Sequence, residues 1–411
     1  MSLFTSSQFA SAVASGADWR EAAKAVLEKL EGIKTDGAGF NLGFLYISDH
    51  LSDDAESILN LFKSVLGIEN WVGANGVGVV GCGEEFIDMP AISAMVGRFE
   101  EDSFCLFPPA VFDGQDVKDA YASWQKAHSP MLVLAHGDPL AEEDPAIGVK
   151  MLNQIISGFM VGGLSSSRKQ QIQIANDVHN NGISGVAFSD SVQVVTTLSQ
   201  GCAPIGKIHT ITRCDEHIIL ELNEEKAVSV FEQDLRDMAI RKVGKDPDKI
   251  IVDKFDIESR EDMPKAFQSL MKGEMHVAFP VSESDQKDYL VRNITGLDPD
   301  EGSISVAQFL SNGERVMFVH RDHNTVREDL SKNLVALRKR ATDSSGKFEP
   351  KGAIYVSCAG RAMAEFEGDA HNEMALIQEV IGDVPLCGFY AGGEILNARL
   401  YGYTGILTLF L

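Results

Sequence analysis

Three stretches of the chain repeat one hydrophobic pattern: an apolar strand, an amphipathic helix that ends at a glycine, and a second apolar strand that leads into a glycine cluster. The first stretch begins with a strand at residues 42–48, the second, looser one at 131–136, and the third at 353–358. A strand, a helix and a strand in this order form a right-handed crossover between parallel strands. Open α/β sheets bind ligands at the carboxyl ends of such strands. The pattern therefore predicts a repeated ligand-binding scaffold.

Each stretch contains a helix with a recognisable end. The predicted helices span residues 53–66, 145–157 and 372–381. Their apolar residues recur at helical spacing, and a glycine follows each helix, as at many helix C-termini. Further glycines then follow the second strand of each stretch, namely Gly73, the pair Gly162 and Gly163, and Gly388. We expect these strand ends to converge and to surround a shared cavity for a ligand.

The remaining elements indicate antiparallel pairing. In chain order they are a hairpin of residues 183–188 and 192–197, a hairpin of 207–212 and 217–222, a helix at 225–240, a strand at 250–255, a helix at 263–271, a hairpin from 275 to 293, strands at 303–306 and 315–320, and a helix at 326–342. The predicted fold class is α+β, with layered mixed β-sheets against helices. We predict two related domains, residues 1–224 and 225–411, and expect the first 17 residues to be loosely held.

Composition narrows the class of partner. A chain of 411 residues is too long for one hydrophobic core. Its 60 acidic and 36 basic residues give a formal net charge of -24, which repels nucleic acid and anionic lipid. The N-terminus lacks the pattern of a secretory signal, and no apolar run approaches the roughly 18 residues that span a bilayer. We therefore expect a cytoplasmic protein without a nucleic-acid or membrane partner, and six scattered cysteines that form no disulfide framework.

Catalytic motifs have little support. The glycines at 76, 78 and 81 match a dinucleotide fingerprint formally, but that motif needs a helix to begin inside it, and the interleaved valines favour strands. There is no nucleophile elbow and no Walker loop. His136 ends an apolar strand where a ligand would dock, although a core or capping histidine is the alternative. The motifs therefore favour a non-catalytic function.

Residues with binding chemistry follow the second and third stretches. Gly162, Gly163 and Ser165 offer approachable backbone N–H groups and a hydroxyl, or else form a flexible loop. In the third stretch, Arg361 can hold a carboxylate or phosphate bidentately, and it can activate Cys358. The alternative for Arg361 is a surface ion pair with Glu365. Glu394, beside Gly392 and Gly393, can bind a ligand amine or cap backbone N–H groups.

Several stretches resemble the FIST proteins, in which N- and C-terminal FIST domains lie in tandem. In order, the similar stretches are residues 41–48, 161–165, 199–206, 329–330, 357–361, 388–395 and 403–404. They span nearly the whole chain. Two positions depart from the family pattern: Ala74-Asn75 stand where relatives often have Cys-Thr, and Ala362 stands where a glycine is common.

The resemblance implies an intracellular sensory module that binds a small ligand, with amino acids proposed, and signals through a separate partner protein. The ligand-binding residues that we predict are Gly162, Gly163, Ser165, Ser357, Cys358, Arg361, Gly388, Tyr390, Gly393 and Glu394. In this hypothesis Arg361 holds the ligand carboxylate and Glu394 its amine. No cofactor is predicted. Two alternatives stay open: a haem-binding sensor of nitric oxide, as described for some members of the family, and an enzyme with Cys358 as nucleophile.

Overall fold

The computed structural model describes residues 8–32, 39–111, 113–243, 274–281, 288–343, 345–362 and 373–411. The strand expected at 250–255, the helix expected at 263–271 and the alternative partner Glu365 lie outside the described residues.

The described helices and strands follow the chain in this order. The helices are α1 (Trp19–Glu31), α2 (Ala55–Leu66), α3 (Gln115–Tyr121), α4 (Pro145–Ile155), α5 (Ala227–Val243), α6 (His323–Ala341), α7 (Ala359–Ala362) and α8 (Glu373–Ile381). The first strands are β1 (Phe9–Ser15), β2 (Leu42–Ser48), β3 (Asn70–Gly76), β4 (Gly78–Gly81), β5 (Glu84–Ile87), β6 (Ala91–Gly97), β7 (Phe104–Ala110), β8 (Pro130–Gly137), β9 (Phe159–Leu164), β10 (Gln173–Ala175), β11 (Asp177–His179), β12 (Ile183–Ser189) and β13 (Val194–Ser199). The others are β14 (Ala203–Pro204), β15 (His209–Asp215), β16 (Ile218–Leu222), β17 (Glu225–Lys226), β18 (Glu274–Pro280), β19 (Tyr289–Asp298), β20 (Ser303–Val306), β21 (Arg315–Arg321), β22 (Gly352–Cys358), β23 (Leu386–Ala391), β24 (Gly393–Leu396), β25 (Arg399–Tyr401) and β26 (Gly405–Phe410).

The chain forms two compact units. Unit 1 comprises the described residues of 1–199, 330–364 and 372–411, and unit 2 is formed mainly by those of 200–329. All three strand-helix-strand stretches therefore lie in unit 1, with unit 2 inserted between the second and the third. The division of the chain at residues 224 and 225 stays a prediction. The α+β fold class, with layered mixed sheets and helices, is confirmed.

Unit 1 contains three six-stranded sheets that share one strand pattern. Sheet A has the order β1-β6-β2-β3-β10-β11, sheet B the order β13-β26-β22-β23-β4-β5, and sheet C the order β7-β12-β8-β9-β24-β25. In each sheet the two central strands are parallel and every other neighbouring pair is antiparallel. The parallel pairs are β2 with β3, β8 with β9, and β22 with β23, joined through α2, α4 and α8. The three predicted crossovers are thus present.

The three sheets exchange hairpins in a cycle. After the second parallel strand of each sheet, the chain leaves that sheet, adds a hairpin to another, and returns as the neighbour of its own first parallel strand. Sheet A gives the hairpin β4–β5 to sheet B, sheet B gives β24–β25 to sheet C, and sheet C gives β10–β11 to sheet A. Each sheet is therefore completed by a segment from another repeat.

Helices cover one face of each sheet, and the other faces meet. The helices α1 and α2 pack on sheet A, α3 and α4 on sheet C, and α6 and α8 on sheet B, each through its apolar stripe. At the centre, the ring of Tyr46 from sheet A stacks on Phe389 from sheet B at a centroid distance of 4.9 Å. His136 from sheet C lies 5.9 Å from the same Phe389 ring. These buried faces explain why the central strands are apolar at nearly every position.

Unit 2 is a closed ring of antiparallel strands. Its pairing runs β21-β15-β16-β20-β19-β18 and returns from β18 to β21, with β14 beside β21 and β17 beside β16. Because β18 pairs with β21, the strand edges that an open sheet would expose are hydrogen-bonded to each other. Phe231 from α5 packs on Phe318 from β21, at a centroid distance of 4.6 Å, within the hydrophobic core of the ring.

Two predicted local structures are corrected. The expected hairpin of residues 183–188 and 192–197 does not form, because β12 joins sheet C and β13 joins sheet B. The N-terminal segment is not loosely held at residues 9–15, because β1 pairs with β6 and buries Phe9 and Val13. The hairpins β15–β16 and β18–β19 are confirmed. The glycine motif at residues 76–81 falls on β3 and β4, so no helix begins inside it.

Candidate functional site

Arg361 is held inside unit 1 by the elements that follow the first parallel strand of the third repeat. Strand β22 ends at Cys358, the short helix α7 carries Arg361, and α8 begins at Glu373. The Arg361 guanidinium is fully buried and donates from Nε to Oε1 of Glu373 at 2.7 Å and from Nη2 to the same oxygen. Oε2 of Glu373 accepts hydrogen bonds from the Tyr355 hydroxyl at 2.7 Å and from Ser357 at 2.9 Å. The carboxylate is therefore satisfied on both oxygens.

The ion pair changes the acidity of its members. Burial alone lowers the pKa of Arg361, but the Glu373 carboxylate outweighs it and raises that pKa above the usual value. Burial, together with the negative charge of Glu373, raises the pKa of the Tyr355 hydroxyl well above its usual value. Nη1 of Arg361 donates to the Ser199 carbonyl oxygen at 3.3 Å, to the Ser199 hydroxyl at 3.5 Å and to the Tyr403 carbonyl oxygen at 3.4 Å. These hydrogen bonds are long, but they occupy both N–H groups of this nitrogen.

Glu394 is the second buried acidic group of the site. Its Oε2 accepts from the Thr404 backbone N–H at 3.0 Å and from the Thr404 hydroxyl at 2.7 Å. Its Oε1 is buried and has no hydrogen-bond partner among the described residues. Burial raises the pKa of Glu394 to about 8, against the opposing effects of Thr404, the Arg361 charge and the Cys358 thiol.

The predicted glycines have a packing role in the strands. A Cβ added at Gly73, Gly162 or Gly388 would overlap the carbonyl oxygen of the residue opposite it in the parallel pair, Leu45, Ala135 or Tyr355. A Cβ at Gly163 would lie 2.7 Å from the Cβ of Ala391. These strand ends are filled by neighbouring backbone and side chains and do not surround a hollow among the described residues.

Some of the ten predicted residues lie close to one another in the structure, and the side chains of others bind different partners. Cys358 and Arg361 lie near Glu394, Ser357 shares the Glu373 carboxylate with Arg361, and Glu394 pairs in register with Gly163. Gly393 pairs with Leu164 in the same ladder. By contrast, the Ser165 hydroxyl donates to the Ile172 carbonyl oxygen at 2.7 Å, and the Tyr390 hydroxyl donates to Oε2 of Glu85 at 2.7 Å. Gly162 and Gly388 serve the close strand packing. Their roles in binding stay predictions.

Three clefts formed by described residues have volumes of about 280, 30 and 350 Å³. The first lies between β1 and α8 and is lined by Phe9, Cys82 and Ile377. None of the three is lined by any of the ten predicted residues. A ligand at the Arg361 and Glu394 side chains therefore has to displace what now packs there.

Sequence reasoning missed three partners. Glu373 neutralises Arg361, Thr404 binds Glu394, and Ser199 offers its carbonyl oxygen to Arg361. The signal for Glu373 was its place as the first residue of the third crossover helix, where a carboxylate is favoured by the helix dipole. Thr404 and Ser199 both lie in stretches that resemble the family. They were not recognised because each belongs to a strand junction that is distant in sequence.

His136 is a core histidine. It is fully buried, and its Nε2 lies 3.1 Å from the Tyr46 hydroxyl, while Nδ1 has no partner among the described residues. Burial lowers the pKa of His136 to about 3, so the ring is neutral. The rings of Tyr46 and Phe389 enclose His136, so this histidine offers no open axial position to a haem. The haem alternative stays a prediction.

Two broader searches of the described residues found nothing. No group of three or more His, Cys, Asp or Glu side chains is arranged to hold a metal ion. None of the helices in the described part of the chain is both long and apolar enough to cross a membrane.

Comparison with known proteins gives two family matches and several relatives. The FIST N domain matches residues 41–225, and the FIST C domain matches residues 257–397. The chain is 28% identical over 272 residues to the uncharacterized protein Rv0628c of Mycobacterium tuberculosis, a match covering 64% of each chain. It is 29% identical over 262 residues to the uncharacterized protein Mb0898c of Mycobacterium bovis, covering 62% of this chain and 60% of the relative. With both domains matched in tandem, the chain belongs to the FIST family of signalling-associated sensory domain proteins.

Proposed function

We propose that this protein binds a small polar ligand, with an amino acid as the leading candidate, between Arg361 and Glu394 and signals through a separate partner protein. One observation carries the proposal. Two fully buried ionisable groups, Arg361 and Glu394, lie close to each other, and Oε1 of Glu394 has no hydrogen-bond partner among the described residues. An α-amino acid presents a carboxylate and an amine that suit these two side chains.

The burial of these groups favours a binding role. A polar group held out of water without full hydrogen bonding costs free energy, so purely structural cores seldom retain one. Strongly shifted pKa values cluster at functional sites, and that of Glu394 is raised to about 8. Oε1 of Glu394, which has no hydrogen-bond partner among the described residues, adds a geometric reason.

Binding at a closed site provides a route for a signal. Arg361 and Glu394 are fully buried in the described part of the chain, so a ligand reaches them only together with a rearrangement around α7 and the Thr404 junction. A ligand that binds the rearranged state better shifts the population towards it. A partner protein that recognises the rearranged surface would then bind when the ligand is bound.

Calorimetric titration with the twenty proteinogenic L-amino acids tests the proposal. We expect at least one to bind, and we expect Arg361→Lys and Glu394→Gln each to weaken binding at least tenfold. Matched controls are Arg236→Lys and Glu56→Gln, which change the same residue types at exposed positions. Absence of heat from every amino acid with folded protein would remove the proposal. Binding that both site variants leave unchanged would place the ligand elsewhere.

A further inference from the structure

Glu394 has an internal counterpart in another repeat, Gln173. Glu394 pairs with Gly163, the residue after the tightly packed Gly162 of β9. Gln173 pairs with Ala74, the residue after the tightly packed Gly73 of β3. Each residue lies in the first strand of an exchanged hairpin. The two side chains therefore occupy equivalent positions in sheets C and A.

The amide of Gln173 is hydrogen-bonded on both sides. Its Oε1 accepts from the Ser184 backbone N–H and from the Ser184 hydroxyl, both at 2.8 Å. Its Nε2 donates to the carbonyl oxygens of Asn181 at 2.9 Å and of Gly182 at 2.8 Å. The position thus suits a neutral group that accepts on one side and donates on the other.

Glu394 reproduces only the accepting side. Its Oε2 accepts twice from Thr404, as Oε1 of Gln173 accepts twice from Ser184. The donors come from different positions, because the Cys358 N–H donates to the Thr404 carbonyl oxygen at 2.9 Å and the Asp138 N–H donates to that of Gly182 at 3.1 Å. Thr404 therefore takes the place of Gly182 and not of Ser184. A proton on Oε1 would make the Glu394 side chain neutral, like the Gln173 amide at the same strand position.

Several groups face Glu394 from the elements packed against it. The Cys358 thiol comes from β22 and the Arg361 guanidinium from α7. Tyr401 pairs with Glu394 across the hairpin, and Tyr403 precedes its partner Thr404. The Arg361 charge favours the anion of Glu394, but Arg361 is paired with Glu373, and burial acts more strongly in the opposite direction. The complete burial of Glu394 therefore decides its protonation state.

We propose that Glu394 is a neutral, proton-bearing carboxyl in the ligand-free protein and that it releases this proton to solvent when the ammonium group of a ligand binds at Oε1. The second half rests on the proposed function. It narrows the ligand class to cationic amines, because only a positive charge at Oε1 compensates for ionising a buried carboxyl. Charge balances in the exchange: one proton leaves as one ammonium enters.

Infrared difference spectroscopy of the ligand-free protein tests the first half. We expect the carbonyl stretch of a protonated carboxyl in the parent at about pH 6 and its loss by about pH 10, on either side of the pKa of Glu394. This band should be absent from Glu394→Gln, whose amide is expected to fit because Gln173 fits the equivalent place. Gln173→Glu should add a second such band. A parent spectrum at about pH 6 identical to that of Glu394→Gln overturns the proposal.

Calorimetry in two buffers of different ionisation enthalpy tests the second half. The probes are the same L-amino acids, with their N-acetylated forms as controls that lack an ammonium group. We expect close to one proton released for each amino acid bound at about pH 6 and none with Glu394→Gln. Binding without proton release overturns this half. If no amino acid binds but the carboxyl band is present, the proposed function fails while the neutral carboxyl stands.

Discussion

At the scale of single residues, Arg361 and Glu373 hold each other in a fully buried ion pair. The two ions attract strongly in the interior, but each has lost its hydration. Removing one partner is therefore far worse than removing both charges, because the survivor stays buried without compensation. The hydroxyls of Tyr355 and Ser357 bind the carboxylate as well, so a useful variant must keep an acceptor for them.

Arg361→Met should destabilise the protein by about 3–5 kcal/mol, the range for a buried charge left without its partner. The double variant Arg361→Met/Glu373→Gln should recover a large part of this loss, because it removes the stranded charge and keeps an acceptor for the two hydroxyls. Urea unfolding followed by circular dichroism measures both. A single variant as stable as the parent would contradict the inferred role of the pair.

His136 should make the protein sensitive to acid. Its folded pKa is lowered to about 3, below the unfolded value of 6.5, so its contribution is fully present above about pH 6.5 and is lost as pH falls towards 3. The double variant His136→Phe/Tyr46→Phe removes both polar partners of the 3.1 Å contact. We expect the parent to lose a few kcal/mol more than this variant over that window, measured by urea unfolding. Parallel losses in the two proteins would show that His136 does not titrate on unfolding.

Glu394 should have the opposite effect. Its folded pKa is raised to about 8 from 4.5, so its contribution is full below about pH 4.5 and is lost as pH rises through 8. The parent should lose a few kcal/mol relative to Glu394→Gln between these values. Chemical unfolding at intervals across the range tests this. A difference between the two proteins that does not change with pH would place the folded pKa near its ordinary value.

At the scale of elements, the strand-helix-strand repeat could be predicted because its evidence is local. Periodicity gave β2, α2 and β22 nearly to their ends, and glycines marked the ends of the helices. The role of the repeated glycines could not be read in the same way. A glycine at position 388 indicates that there is no room for a side chain. The sequence does not distinguish whether a bound ligand or a neighbouring carbonyl oxygen fills that space.

Alanine at Gly73, Gly162 or Gly388 should prevent folding or destabilise it by more than about 4 kcal/mol, because the new Cβ would overlap a carbonyl oxygen that cannot leave its strand. Gly39→Ala is the matched control, since nothing lies within 4 Å of a Cβ at that position. Thermal unfolding by circular dichroism distinguishes them. If Gly388→Ala had the same melting temperature as Gly39→Ala, the parallel strands could separate locally with little loss of folding free energy.

At the scale of the whole molecule, the pairing of strands from different repeats could not be predicted from the sequence. The antiparallel pair of β23 and β4 joins segments about 300 residues apart, and periodicity within a short window carries no information about such pairing. The site shows the same limit. Arg361 and Glu394 were recognised by residue type and place. By contrast, Ser199 reaches the site because β13 pairs with the distant β26, and Thr404 because the chain returns from the exchanged hairpin β24–β25.

The cyclic exchange has a consequence for the stability of unit 1. Each sheet contains a hairpin supplied by another repeat, so the unfolding of one repeat removes two strands from the sheet of another repeat. We therefore expect the three sheets to unfold together in one cooperative transition. A linear array of repeats, by contrast, can unfold locally from its ends.

Ile58→Val tests this cooperativity, because Ile58 lies in the core beneath sheet A and the substitution costs about 1 kcal/mol. Native-state hydrogen exchange should show the same loss of protection at the slowest amides of β2, β8 and β22, one strand from each sheet. Val335→Ala, at an exposed position, should leave all three unchanged. Loss confined to β2 would mean that sheet A unfolds alone, in which case a rearrangement at Arg361 and Glu394 would also remain local and could reach a partner only through a surface next to the site.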